Sequence, residues 1–204
     1  MERRRLRDFD EWLALMEQAE RGEGWLAWCE ARGIYVAWSP SLVAAVTEVL
    51  RACGGPVLEV AAGDGTLARC LADHGLEVRP TDPVPSAPDV ERLSCEEALA
   101  RYAPRVVLSC FPPLDAGIEQ RVTRHPAVRH YLYVGPLVND RPGPEALWIE
   151  PGWDRIPLPA VDRFLISRLD YLADFTRRTH RRRAAALLLS RQGPPMIAGV
   201  SSAR

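Results

Sequence analysis

Apolar positions along this chain follow two rhythms, one with helical spacing and one in short continuous runs. Residues 8–21 place Phe9, Trp12, Leu13, Leu15 and Met16 at helical spacing, and Trp25 to Ala31 adds a shorter helix with Trp25 and Trp28. Ser39-Pro40 is an N-cap residue followed by a proline suited to the first helical turn. Leu42, Val43, Val46, Val49 and Leu50 then mark a helix that stops at Gly54-Gly55. Pro56–Val60 is a short apolar run, and Ala61–Gly65 is built from small residues plus Asp64. Thr66–His74 returns to helical spacing and ends at Gly75, and Leu76–Thr81 is a second apolar run. Runs of this kind suit strands buried on both faces.

The alternation continues. Asp89–Leu93 reads as a strand, and Ser94 with Glu97 forms a capping box for the next helix. Arg105–Cys110, Gly117–Arg124 and Val128–Val134 read as strand, helix and strand, and Val161–Tyr171 and Ala184–Ser190 as two closing strands. The order predicts an α/β fold, doubly wound around a mostly parallel sheet of seven strands, with a helical N-terminal extension. Residues 1–38 form the expected cap or lid, with its first seven residues frayed, and 39–191 the main domain. Residues 135–160, rich in Pro and Gly, form an irregular insert, and 192–204 a disordered tail.

Composition narrows the function less than the pattern does. The chain has 204 residues and a net charge of −1, so no global basic field argues for nucleic acid. Every one of its 26 basic side chains is arginine, which removes lysine chemistry. Five scattered cysteines without a C-x-x-C pair argue against a disulfide framework and against a metal site. No apolar stretch has the length of a membrane span, and a cytoplasmic location is expected. The basic run Arg177–Arg183 lacks interleaved aromatics and reads as a solvated hairpin loop, with a phosphate or RNA grip as the alternative.

The turn after the first strand has the chemistry of a nucleotide site. Small residues let a ligand approach the backbone, and an acid at the tip of the next strand, Asp82, can accept from ribose hydroxyls. Gly63-Asp64-Gly65-Thr66-Leu67-Ala68 fits a dinucleotide fingerprint. Glu59-Val60-Ala61-Ala62-Gly63-Asp64-Gly65 resembles motif I of the class I, Rossmann-like, S-adenosylmethionine (SAM) methyltransferases, with Ala61 where the family has its first glycine. Glu59 favours the second reading, because a carboxylate at the end of a buried strand needs a partner and would repel a pyrophosphate. Arg105–Leu114, an apolar strand ending in Pro112-Pro113, resembles the family's motif IV, with Phe111 where amino-methylating members carry Asn or Asp.

The resemblance implies a sheet whose last strand is antiparallel, SAM as cofactor, and methyl transfer catalysed mainly by positioning. It places the cofactor against Glu59, Ala61, Ala62, Gly63, Asp64, Gly65, Asp82 and Pro83, with Ser94 and Cys95 at the adenine and Ser109, Cys110 and Phe111 at the fourth strand. Tyr35, Trp38, Pro112, Pro113, Trp148 and Trp153 are the expected substrate contacts. A hydrophobic staple explains Tyr35 and Trp38 equally well. Asp115 and His125 are candidate bases, with a surface position as the alternative for each. A small-molecule acceptor is expected, without nucleic acid or membrane, and with a homodimer left open. A protein or RNA acceptor, and a SAM- or NAD-binding module without transferase activity, stand as alternatives.

Overall fold

The computed structural model of the chain describes residues 6–174, 176, 179–193 and 195. Residues 1–5 of the expected frayed start, Arg177 and Arg178 of the basic run, and most of the expected tail lie outside the described residues.

Three helices come first: α1 (Phe9–Glu20), α2 (Trp25–Glu30) and α3 (Pro40–Cys53). The alternating part follows as β1 (Val57–Val60), α4 (Thr66–Asp73), β2 (Val78–Asp82), β3 (Glu91–Arg92), α5 (Cys95–Tyr102), β4 (Val106–Cys110), α6 (Ile118–Arg124) and β5 (His130–Val138). The chain closes with β6 (Arg141–Pro142), α7 (Ala146–Ile149), β7 (Asp154–Pro157), α8 (Pro159–Asp162), β8 (Tyr171–Asp174), β9 (Thr179–Arg181) and β10 (Ala184–Ser190). The main sheet runs β3-β2-β1-β4-β5-β10-β7, and β6 pairs with β5 off this path. Strands β1 to β5 are mutually parallel, and β10 is antiparallel to both β5 and β7. A mostly parallel seven-strand path with its last strand reversed is the class I methyltransferase arrangement that the sequence led us to expect.

Period-2 alternation sorts the sheet's side chains onto two helical layers. Val57, Val106, Leu108, Leu132, Val134 and Leu188 pack against α3, α4 and α8. Leu58, Val60, Val107, Tyr131, Tyr133, Leu187 and Leu189 pack against α5, α6 and α7. The caps form as the sequence implies. Ser39 accepts from the Leu42 N–H with Pro40 in the first turn, and Ser94 and Glu97 make a full capping box. A third core holds the N-terminal cap: Trp12, Met16, Trp25 and Cys29 close around Ile166 and Leu172.

Of the two expected closing strands, Ala184–Ser190 forms as β10 and the other does not. Val161–Tyr171 is not a strand. Pro159–Asp162 is a helical turn, and 163–170 is an irregular strap that buries Leu165 and Ile166. The sixth strand of the sheet is instead β7, inside the expected insert. It ends the strand path, paired among the described residues with β10 alone, where polar residues and Pro157 are tolerated. The insert is therefore structured, contributing β6, α7 and β7. Thr179–Arg181 of the basic run form β9, which pairs with β8 outside the main sheet, and Arg181, Arg182 and Arg183 are exposed.

Candidate functional site

The tips of β1, β2 and β4 and the loops behind them form one edge of the sheet, where a doubly wound fold places its ligands. Glu59 is the unusual residue there. It is 2% exposed and shares its face of β1 with Val57. Its carboxyl accepts the Ala68 N–H in the first turn of α4, yet its Oε2 has no partner. Burial, reinforced by the nearby Asp64, pushes its pKa up to about 8. A buried polar atom left unpaired near a strand tip is costly and asks for a partner.

The turn that follows is held open by backbone bonds. The Ala62 N–H donates to Thr81 O at 3.0 Å and the Gly65 N–H to Ala62 O at 2.9 Å. Asp64 folds back on its own turn, taking the Thr66 N–H at 2.9 Å and the Thr66 hydroxyl at 2.7 Å. Ala61 has φ of 56°, a left-handed conformation that glycine adopts freely and alanine does not. Thus Ala61 occupies the glycine position of motif I and keeps its backbone shape at an energetic cost. Gly63, at φ 58°, faces open space, and a side chain added there would enter it. Asp82 at the tip of β2 is tied to the same turn, its Oδ2 accepting the Gly63 N–H and its Oδ1 the Val84 N–H. Pro83 follows directly, its carbonyl held by Arg92.

The Ser94 hydroxyl is committed to the capping box, bonded to Glu97. Cys95 is packed against the α5–α6 layer, and burial raises its thiol to about 12. The other thiols are raised by burial too, Cys29 and Cys53 to about 12, so none is a poised nucleophile. Among the described residues, no group of three or more His, Cys, Asp or Glu could hold a metal ion. No described helix is long and apolar enough to cross a membrane.

At the tip of β4, Phe111 also takes a left-handed conformation, φ 52°, while its N–H donates to Val134 O at 2.7 Å. Pro112 is buried behind it and Pro113 is exposed. The Tyr35 ring from the N-terminal cap lies 6.1 Å from the Phe111 ring, tilted 55°. Trp38 packs against the α3–α4 core, and its carbonyl accepts the Trp12 Nε1–H at 3.0 Å. Cys110 lies close enough to Glu59 to feel its charge.

Three predicted site residues, Ser109, Trp153 and His125, sit elsewhere. Ser109 is fully buried on the α5–α6 face, 2.7 Å from the Tyr131 hydroxyl, so its side chain cannot meet a cofactor above the strand tips. Trp153 precedes β7 at the opposite edge of the sheet, buried, with its Nε1–H donated to Thr123 O. His125 ends α6 at that same far edge, just before β5, which rules it out as a base at the β4 tip. Trp148 packs on the α7 layer, its Nε1–H donated to Pro142 O and Arg141 over its ring. Asp115 is at the correct edge, exposed on the turn after Pro113.

One residue at the rim escapes sequence reasoning. Arg168, on the strap, stacks over the Tyr35 ring at 4.1 Å, and its N–H donates to Tyr35 O at 3.0 Å. Long-range contacts bring these segments together, Val36 pairing with Ser167 and Ala37 donating to Ile166 O, and no local pattern announces them.

The strand order defines the fold: a Rossmann-like, mostly parallel sheet with its last strand reversed, the order of the class I methyltransferase fold. No protein-family model matches the sequence, and no curated protein matches it. Among solved structures, the chain is similar to the 23S rRNA methyltransferase ErmE, at 15% identity and a TM-score of 0.48, covering 81% of this chain and 72% of that one. It is also similar to the mitomycin 7-O-methyltransferase MmcR, at 14% identity and a TM-score of 0.39, covering 91% of this chain and 61% of the other.

The residues at the edge fit SAM on this structure's own terms. The unpartnered Glu59 oxygen suits a cationic ligand end, and Gly63 leaves the space beside it open. Asp82 stands at the adjacent strand tip.

Proposed function

We propose that the chain transfers the methyl group of SAM to a small-molecule acceptor. The observation that carries this is Glu59, buried at the tip of β1 with one carboxyl oxygen unpartnered. A pyrophosphate ligand would add negative charge beside Glu59, Asp64 and Asp82, whereas the amino-acid end of SAM brings an ammonium group. In this reading Glu59 and the Ala61–Gly65 turn hold the methionine end, Asp82 the ribose, and the start of α5 the adenine.

When bound, SAM supplies a methyl group already activated by its sulfonium. The chain's task is to orient the acceptor and exclude water. Tyr35 and Phe111 form the aromatic wall beside the tip of β4, and Pro112 fixes the backbone there. Asp115 is the ionisable side chain available on the following turn. The free thiols accord with a reducing compartment such as the cytoplasm.

A thermal-shift titration with SAM, S-adenosylhomocysteine and NAD in parallel tests the reading, because a ligand that binds only the native state raises the melting temperature with concentration. Shifts with the first two and none with NAD are expected. A shift with NAD alone would replace methyl transfer by the dinucleotide reading. A macromolecular acceptor is the second reading, favoured by exposed Arg181, Arg182 and Arg183. Salt-sensitive RNA binding that disappears when these three are changed to Gln would support it.

A further inference from the structure

The rim above the β4 tip carries a cation without a counter-ion. Arg168 is fixed on three sides: its backbone bonds Tyr35 O, Val36 pairs with Ser167 beside it, and its guanidinium lies over the Tyr35 ring. Its Nε is nevertheless buried with no acceptor, and among the described residues it makes no ion pair. Asp170, two residues on, is already saturated. It accepts the Ser167 N–H and hydroxyl and the Arg183 N–H, and its Oδ2 lies 2.7 Å from His180 Nε2. A guanidinium held in place by stacking, with donors unspent, is built for a planar oxyanion, which Arg binds through two parallel N–H bonds. Glu59, Asp64 and Asp82 stand at or beyond the tips of β1 and β2, and Glu20, Glu23 and Glu30 share a hollow with Arg168 on its cap side without pairing with it.

Resting on the methyl-transfer reading, we propose that Arg168 recognises an anionic group, carboxylate or phosphate, on a planar acceptor that stacks at Tyr35 and Phe111. The Tyr35 ring links the guanidinium to Phe111, so one compact aromatic anion can touch both elements. A nucleic acid would call instead on the exposed arginine row of the β8–β9 hairpin and show a steep salt dependence.

The test uses salicylate and its neutral amide, salicylamide, titrated by saturation-transfer NMR into the wild-type protein, Arg168→Gln and Arg168→Lys. Inorganic phosphate serves as competitor, and S-adenosylhomocysteine binding is measured on all three proteins. Salicylate is expected to bind about tenfold more tightly than salicylamide in the wild type, the worth of one charge-assisted pair. Arg168→Gln is expected to abolish that preference and Arg168→Lys to keep part of it, because the charge remains while the fork is lost. Homocysteine-ligand affinity should stay within about twofold in both variants. Competition by phosphate in the wild type alone would extend the site to both anions. Equal binding of acid and amide, or a preference that survives Arg168→Gln, would overturn the proposal. So would salt-steep binding of oligouridylate, lost on neutralising Arg181–Arg183, with no binding of salicylate. If S-adenosylhomocysteine fails to bind the wild type while the acid preference holds, methyl transfer falls and the anion site stands.

Discussion

Asp82 Oδ2 accepts the Gly63 N–H at 2.9 Å, so the acid at the tip of β2 also shapes the turn after β1. Its second oxygen holds the Val84 N–H at 2.8 Å. Asp82→Asn keeps one of these two acceptors and loses the charge, and it should weaken S-adenosylhomocysteine binding about tenfold. Asp82→Ala loses both, with an expected weakening of about a hundredfold and a stability loss of roughly 1–2 kcal/mol. Calorimetry and urea unfolding measure the two effects. Wild-type affinity in Asp82→Ala would remove this residue from the site.

Glu59 makes stability depend on pH. Its folded pKa, about 8, lies above its ordinary value of 4.5. Below 4.5 it is protonated in both states and carries no penalty. Between 4.5 and 8 the unfolded chain releases the proton while the folded chain holds it, so this contribution to stability falls as pH rises. Glu59→Gln should flatten that slope and raise stability at pH 8 by roughly 2–4 kcal/mol, while weakening SAM binding by about tenfold or more. An unchanged urea midpoint from pH 5 to pH 8 in the wild type would contradict the buried, unpartnered carboxyl.

Ala61 and Ala103 share a left-handed backbone, φ 56° and 40°, one in the ligand turn and one at the end of α5. Glycine relieves the strain at each, and Ala61→Gly and Ala103→Gly should each add about 1 kcal/mol. Ala61→Gly should leave S-adenosylhomocysteine affinity within about twofold, since the turn's shape is already that of glycine. Gly63→Val should have the opposite effect, filling the open space and losing detectable binding. A destabilised Ala61→Gly in chemical unfolding would contradict the strain.

Tyr35 and Trp153 should separate cleanly. Trp153→Phe loses the bond to Thr123 O at the far edge and should cost roughly 1–2 kcal/mol, with cofactor affinity unchanged. Tyr35→Ala removes a ring that is 47% exposed, so it should cost little stability and abolish acceptor binding at the Phe111 wall. Reversed phenotypes would place the substrate surface at the wrong edge.

What the sequence made legible is what depends on neighbours in the chain. The motif I turn, the Ser39 and Ser94 caps and the parallel core strands are local devices, and each forms where its residues predict. Ala184–Ser190 forms as expected, but Val161–Tyr171 does not, because Val161, Leu165 and Ile166 are as apolar as a strand, while the true edge strand, Asp-Arg-Ile-Pro, reads as loop. Pairing with β10, a tertiary fact, decides between them. Ser109 and His125 are another matter. Counting by twos puts Ser109 with Val107, on the face away from Glu59. A residue just before a parallel strand belongs to the far edge. Both signals were in the sequence. The Arg168–Tyr35 pair was not, because the two residues are joined only through the folded cap.

The strap between α8 and β8 has a consequence for how such a chain diversifies. Ala37 donates to Ile166 O, Trp25 donates to Ser167 O, and Asp170 binds the backbone at both Ser167 and Arg183. The N-terminal helices are thus riveted to a segment more than a hundred residues later in the chain. A cap transplanted from another protein would arrive without its counterpart and leave Ile166 and Leu172 bare. A new specificity in this chain therefore calls for a paired exchange of cap and strap, or for single changes at their shared rim.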